Sequence, residues 1–481
     1  MFKSGDDHRL PDCVYVEPPA SVRPAGDTPK HVLYLSNLDH QKFLRFQIRY
    51  LYVFKRAVTA AALKDSLSRI LVPYYPLAGR LRRCAPTETH HAEDAADDDD
   101  KLEIDCNGEG AIFSAAKMDI TAEEFLQLAV KPNRSLRKLL CSAAVEPQSF
   151  LDIPPLVVQV TNLRCGGMIL CTAISHCFCD GIGTSQFLHA WAHETAQLGG
   201  ASSALIQPFH SRHVLKPRSP PRVSFPHPGF TNITPDSSSI HHVLQSQPLI
   251  PSSLTFSTAQ ILRLKRRLPP SIKCTTFEVL ACHTWRCWVR SLGLHLHSSM
   301  AVKLLFSVNV RKVFDEMPQG YYGNGFVLAS AEADANELVA PAGLHDGVKL
   351  VQQAKSRITA EYVRSMIDLM EEDPTVRVDQ SSSLVISQWS RLGLHELDFG
   401  QGKPLHMGPL SSYIYCVFLP VIGESDAVRV LLSMPESVVY KFEFYMTELS
   451  SGMFGESADQ EEEEEDANKQ YGVGNLKMVS V

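Results

Sequence analysis

The chain has 481 residues, 44% apolar and 21% charged, which is the composition of a soluble globular protein and too long for one ordinary hydrophobic core. Its net charge of −7 comes from two acidic runs, Glu93 to Asp100 with six negative charges and Asp459 to Asp466 with seven, so the remainder stands at +6. That mild excess, without a concentrated Lys/Arg stripe, excludes nucleic acid as a partner and suits an anionic small molecule. Both runs are expected to be a solvated loop and tail.

The polar opening segment resembles no secretory signal, and no stretch reaches the ~20 apolar residues of a transmembrane segment. The 12 cysteines include no C-x-x-C pair, and no His, Cys or carboxylate set has metal-ligand spacing. The histidine pairs His90-His91 and His241-His242 lie in polar segments. We therefore expect a cytoplasmic, reduced, monomeric protein without a metal.

In chain order, periodicity predicts a strand near His31 to Leu35, a helix over Val58 to Leu71, and strands at Lys101 to Asp105, Leu156 to Thr161 and Met168 to Ile174. A helical segment from Thr184 to Gln197 follows. Leu198 to Leu249 is rich in Pro, Gly, Ser and His and reads as a crossover between halves. Beyond it come helices at Ser257 to Arg267, Thr276 to Leu292 and Gly347 to Glu372. Strands are predicted at Val302 to Val308, Ile414 to Pro420, Val428 to Ser433 and Lys441 to Met446. The expected fold is α/β with mixed α+β sheets in two lobes and a cleft between them. The divisions fall at residues 1–198, a linker at 199–250, a second lobe at 251–450 and an acidic tail at 451–481.

The chemistry concentrates at Ile174-Ser175-His176-Cys177-Phe178-Cys179-Asp180-Gly181-Ile182-Gly183, where an apolar strand ends in a glycine-broken turn. A histidine fixed there can take a proton from a hydroxyl or amine at neutral pH. The spacing alone selects nothing, because His8 with Asp12 and His90 with Asp94 repeat it. Only His176 follows an apolar strand, and only Asp180 precedes glycine. Cys177 and Cys179 are read as packing residues, since no neighbouring cation would stabilise a thiolate. Leu397-Asp398-Phe399-Gly400-Gln401-Gly402-Lys403-Pro404 is a tight loop without phosphate-loop spacing. Tyr321-Tyr322-Gly323-Asn324 alone would be an ordinary turn.

Six blocks together resemble the plant BAHD acyltransferases: Tyr34 to Asp39, Tyr74 to Leu81, Ile104 to Gly110, His176 to Gly181, Tyr322-Gly323-Asn324 and Asp398-Phe399-Gly400. The resemblance implies two similar lobes of the coenzyme-A-dependent acyltransferase fold, with a channel reaching His176 from both faces. Acyl-CoA would be a co-substrate, with no cofactor bound. His176 would be the catalytic base and Asp180 a structural partner turned toward an arginine. Ser387 would be the oxyanion donor, with Trp389, Asn37 and Gly181 around the substrate. Asp398, Phe399, Gly400 and Gly402 would form a structural motif on the CoA side, with Arg311 the expected partner of Asp398.

Two positions depart from the family pattern: Gln401 stands where tryptophan is usual, and Asn309 where aspartate is usual. The implied activity is transfer of a hydroxycinnamoyl or small acyl group to an alcohol, with a polyamine acceptor less favoured. Gln401 and the acidic tail motivate an alternative, a non-catalytic partner that modulates very-long-chain lipid elongation. A condensation domain would sit in a far longer chain, and a serine hydrolase lacks its G-x-S-x-G elbow.

Overall fold

Strand Met168–Ser175 is buried at all eight positions, because it runs through the middle of a sheet covered on both faces. Met168, Leu170 and Ile174 meet a core that includes Phe187 and Trp191, whereas Ile169 and Cys171 point to the opposite side, against Phe125 and Leu136. In this computed structural model the described residues are 9–84, 101–129, 131–141, 150–197, 206–232, 240, 244, 247–294, 300–314, 316–412 and 415–451. Both acidic runs and the His90 to Asp94 repeat lie outside them.

The first sheet orders Val14–Tyr15, Ala111–Met118, Leu156–Leu163, Met168–Ser175, Gln47–Phe54 and Pro404–Pro409, with Ala20–Val22 also on Ala111–Met118. Only Ala111–Met118 and Leu156–Leu163 pair in parallel within it. The second sheet orders Leu249–Phe256, Glu424–Pro435, Cys416–Val421, Ser383–Gln388, Ala301–Asn309 and Phe326–Asp334. Two α/β lobes result, and they are interleaved. Strand Pro404–Pro409 pairs antiparallel with Gln47–Phe54 of the first sheet, while Leu38 packs in the core of the second.

The helices begin where side chains can accept orphan amide protons. Ser257 with Gln260 and Thr275 with Glu278 form capping boxes that open helices Thr258–Arg266 and Thr276–Ser291. Two predicted elements differ. Gly347 to Glu372 is not one helix but two, Gly343–Ser356 and Ala360–Glu372, because the Thr359 hydroxyl accepts from the amide of Tyr362 and starts a new one. Lys441 to Met446 is helical, within Val439–Ser451, and not a strand. Val439, Phe442 and Met446 are buried three and four residues apart, so one helical face packs in the core, and the Met446 carbonyl meets the His283 imidazole at 3.0 Å.

Candidate active site

His176 leaves strand Met168–Ser175 at the seam between the two sheets. Its amide donates to the carbonyl of Phe46 at 2.9 Å, which pins the backbone of the turn. The ring is part-exposed and sits between Phe46 and Phe326, with centroids 5.3 and 6.0 Å away.

Asn324, from the turn before strand Phe326–Asp334, fixes the tautomer of that ring. Its Nδ2 donates to Asp39 Oδ1 at 2.9 Å and to the His176 carbonyl at 2.8 Å, and its own amide donates to Asp39 Oδ1 at 2.8 Å. With the NH2 end committed to two acceptors, Oδ1 must face His176 Nδ1, and the two lie 3.1 Å apart. Nδ1 therefore carries the proton and donates. Nε2 keeps a lone pair, as a general base requires.

Behind Asn324 the charge is balanced. Asp39 is wholly buried and faces Arg212 Nε at 3.8 Å, and Arg212, also wholly buried, donates through Nη2 to the Phe178 carbonyl at 2.8 Å. The guanidinium also lies against the rings of Tyr321 and Tyr322. Neither Arg212 nor the link from Asp39 through Asn324 emerges from sequence reasoning. The resemblance to Tyr34 through Asp39 and to Tyr322 through Asn324 was the signal present.

Asp180 turns away from His176. Its Oδ1 accepts from the amide of Gly183 at 2.9 Å, capping helix Gly181–Ala196, and its Oδ2 from the amide of Gly325 at 2.9 Å. Arg311 grips both oxygens, at 2.8 and 3.0 Å, and donates further to the carbonyls of Gly323 and Tyr321. Burial works against the charged carboxylate, but the Arg311 charge and these hydrogen bonds outweigh it and hold Asp180 below the usual carboxylate range.

The expected pairing of Arg311 with Asp398 is thus corrected. Asp398 is exposed, and its Oδ1 accepts from the amides of Gly400 and Gly402 at 2.7 and 2.8 Å, so it needs no cation, whereas buried Asp180 does. Gly400 adopts φ +94° and Gly402 φ +98° to present those amides. Phe399 fills the first core, edge-on to Trp191 at 5.1 Å and Phe54 at 5.8 Å. Gln401 is exposed.

Asn37 is also placed differently from expectation. Its amide donates to the Ile367 carbonyl and to Glu371, each at 3.0 Å, so it ties the first lobe to helix Ala360–Glu372 with its donors already engaged. Trp389 stacks on Tyr50, ring centroids 4.4 Å apart, and lies against Gly181, where an added Cβ would be 3.5 Å from the indole. Its Nε1 donates to Ser387 Oγ at 3.2 Å. That bond occupies the acceptor side of the hydroxyl and leaves its proton free to donate elsewhere. Cys177 and Cys179 are buried, and burial pushes each thiol up to about 12, which excludes a thiolate nucleophile at neutral pH.

The family profile described as Transferase family matches residues 15–449. The chain belongs to the BAHD acyltransferases. Within the BAHD family it is 33% identical over 444 residues to Omega-hydroxypalmitate O-feruloyl transferase of Arabidopsis thaliana, covering 89% of this chain and 92% of that protein. It is 33% identical over 438 residues to Fatty alcohol:caffeoyl-CoA acyltransferase of the same plant, covering 89% and 96%. The crystal structure of vinorine synthase shares the fold, with a TM-score of 0.65 at 20% identity, over 91% of this chain and 98% of that one.

This BAHD site yields three expected results. Gly183 packs so closely that an added Cβ would collide with the Tyr322 carbonyl oxygen. Gly183→Ala should therefore destabilise by about 1–3 kcal/mol, read as a lower denaturation midpoint. Burial lowers the affinity of His176 for a proton, against opposing effects of its own backbone, Asp180 and Asn324, so its pKa lies below the ordinary 6.5. A general base at this position would act unprotonated. The acid limb of a kcat/KM profile should thus fall below pH 6.5, with a plateau above it. Asn324→Ala removes a bond that favours the protonated ring, so the limb should move to still lower pH while the plateau drops about 10- to 100-fold.

Proposed function

We propose that this acyltransferase moves the acyl group of an acyl-CoA to the hydroxyl of an alcohol by direct attack within a ternary complex. The observation that carries the reading is the His176 Nε2 lone pair, oriented from behind by Asn324 and Asp39. Nε2 takes the hydroxyl proton as the alcohol oxygen attacks the thioester carbonyl. The Ser387 hydroxyl donates to the resulting oxyanion. Collapse expels the CoA sulfur, which recovers the proton from the imidazolium, and Asn324 Oδ1 stabilises that cation while it lasts.

The favoured donor is a hydroxycinnamoyl group and the favoured acceptor an aliphatic alcohol. Leu305, Leu328 and Val378 form a small apolar cluster with Phe43, Phe230 and Phe326, and Phe326 also flanks His176. The feruloyl and caffeoyl-CoA relatives support the same choice. Among the described residues no helix is long and apolar enough to cross a membrane.

The test is product analysis by mass spectrometry. Purified protein would receive feruloyl-, caffeoyl- and acetyl-CoA with long-chain alcohols, shikimate-like alcohols and polyamines. Long-chain hydroxycinnamoyl esters should dominate, and amides as the principal products would overturn the reading. Ser387→Ala should lower kcat about 10- to 1,000-fold with little change in KM, as expected for a donor used only in the transition state.

A further inference from the structure

Several guanidinium groups in this fold are met by a carboxylate or by a set of carbonyls. Asp39 faces Arg212, Asp180 grips Arg311, and Arg286 donates to the carbonyls of Leu338, Val339 and Ala340. Arg429, on strand Glu424–Pro435, donates through Nη2 to the Met407 carbonyl at 2.6 Å, and its Nε–H is buried without an acceptor. Among the described residues no carboxylate pairs with it. Arg429 is half-buried, and a half-buried cation with no carboxylate on it is a place where a counter-ion is favoured.

A small cavity, open at one mouth, adjoins this group in the seam between the lobes. Leu51 and Leu136 wall it from the first lobe and Leu431 from the second, and Ser253, Arg429 and His406 supply polar side chains, the last two on either side of Gly408. A Cβ at Gly408 would come within 3.2 Å of Arg429 Nη2 and 3.5 Å of His406 Nε2, so the glycine keeps the space between them open. Burial and the Arg429 charge push His406 down to about 3, so its ring is neutral at physiological pH and still carries one N–H to donate.

We propose that this cavity binds a small monovalent anion, held by the Arg429 guanidinium and the His406 ring N–H and flanked by leucines of both lobes. The shared chemistry is a single negative charge of a few atoms, a halide or the carboxylate of a short organic acid. The site is separate from His176, and its occupant would bridge strand Pro404–Pro409 of one sheet to Glu424–Pro435 of the other.

The test is the melting temperature of the full chain titrated with sodium chloride, bromide or formate, at ionic strength held constant with bulkier methanesulfonate. A saturable rise on the order of 2 °C is expected. It should vanish in Arg429→Gln and also in Gly408→Ala, which leaves the arginine in place and fills the space. A rise with halides alone identifies a halide site, and one with formate alone identifies a carboxylate site. Crystals soaked in bromide, or in formate where only formate acts, should show the anion beside the Arg429 guanidinium. No saturable rise with any of these anions, or an equal rise in either folded variant, would overturn the proposal.

Discussion

Replacing His176 with alanine is expected to lower kcat about 100- to 10,000-fold while leaving the fold intact. The separation of the two effects follows from the geometry. The ring is part-exposed and makes one side-chain hydrogen bond, to Asn324, so its loss removes about 1 kcal/mol or less of stability. Its backbone bonds to Phe46 and Asn324 survive the substitution, so the turn should hold. Circular dichroism and a urea melt alongside the rate measurement check both halves. A variant that retained full activity would remove the histidine from the chemistry.

Asp180 predicts the opposite pattern, a folding defect that carries activity with it. Its carboxylate caps a helix in the first lobe and holds Arg311 and the Gly325 amide from the second. Asp180→Ala leaves the Arg311 guanidinium enclosed without its counter-charge, which costs about 3–5 kcal/mol, and removes the cap for about 1 kcal/mol more. Arg311→Met should cost a similar amount by stranding Asp180. The double variant Asp180→Ala with Arg311→Met should lose less stability than the sum of the two single losses, because each single change strands a charge. The pH response has a definite sign. The folded carboxyl lies below its unfolded value, so this contribution is complete above the unfolded pKa near ~3.9 and is lost as pH falls through the lower folded value. Denaturation midpoints of the four proteins, compared at neutral and acidic pH, decide it.

What the sequence disclosed and what it hid divide along contact range. The buried strand before His176, the glycine turn after it and the caps at Ser257 and Thr275 are local patterns, and each appears where local chemistry puts it. Strand Gln47–Phe54 escaped because tyrosines and an arginine interrupt its apolar run, although seven of its eight positions are buried. Lys441 to Met446 alternates well enough to pass for a strand, and only packing on the neighbouring helix selects the helical period. The site's supporting shell was less legible for the same reason. Asp39 meets Asn324 across 285 positions and Arg311 meets Asp180 across 131, so choosing between Asp398 and Asp180 required knowing which carboxylate is enclosed. Arg212 lies in a segment whose prolines and serines suggest an exposed connection, yet the residue is among the most deeply buried in the chain.

The central claim is that His176, poised by Asn324 and Asp39, promotes attack of an alcohol on an acyl-CoA thioester. Free-thiol release from feruloyl-CoA, followed with and without a long-chain alcohol in wild type and His176→Ala, tests it most directly. The account predicts thiol release that requires the alcohol, is matched by ester formed, and disappears in the variant. Release at the same rate without any acceptor, or undiminished in His176→Ala, would contradict it.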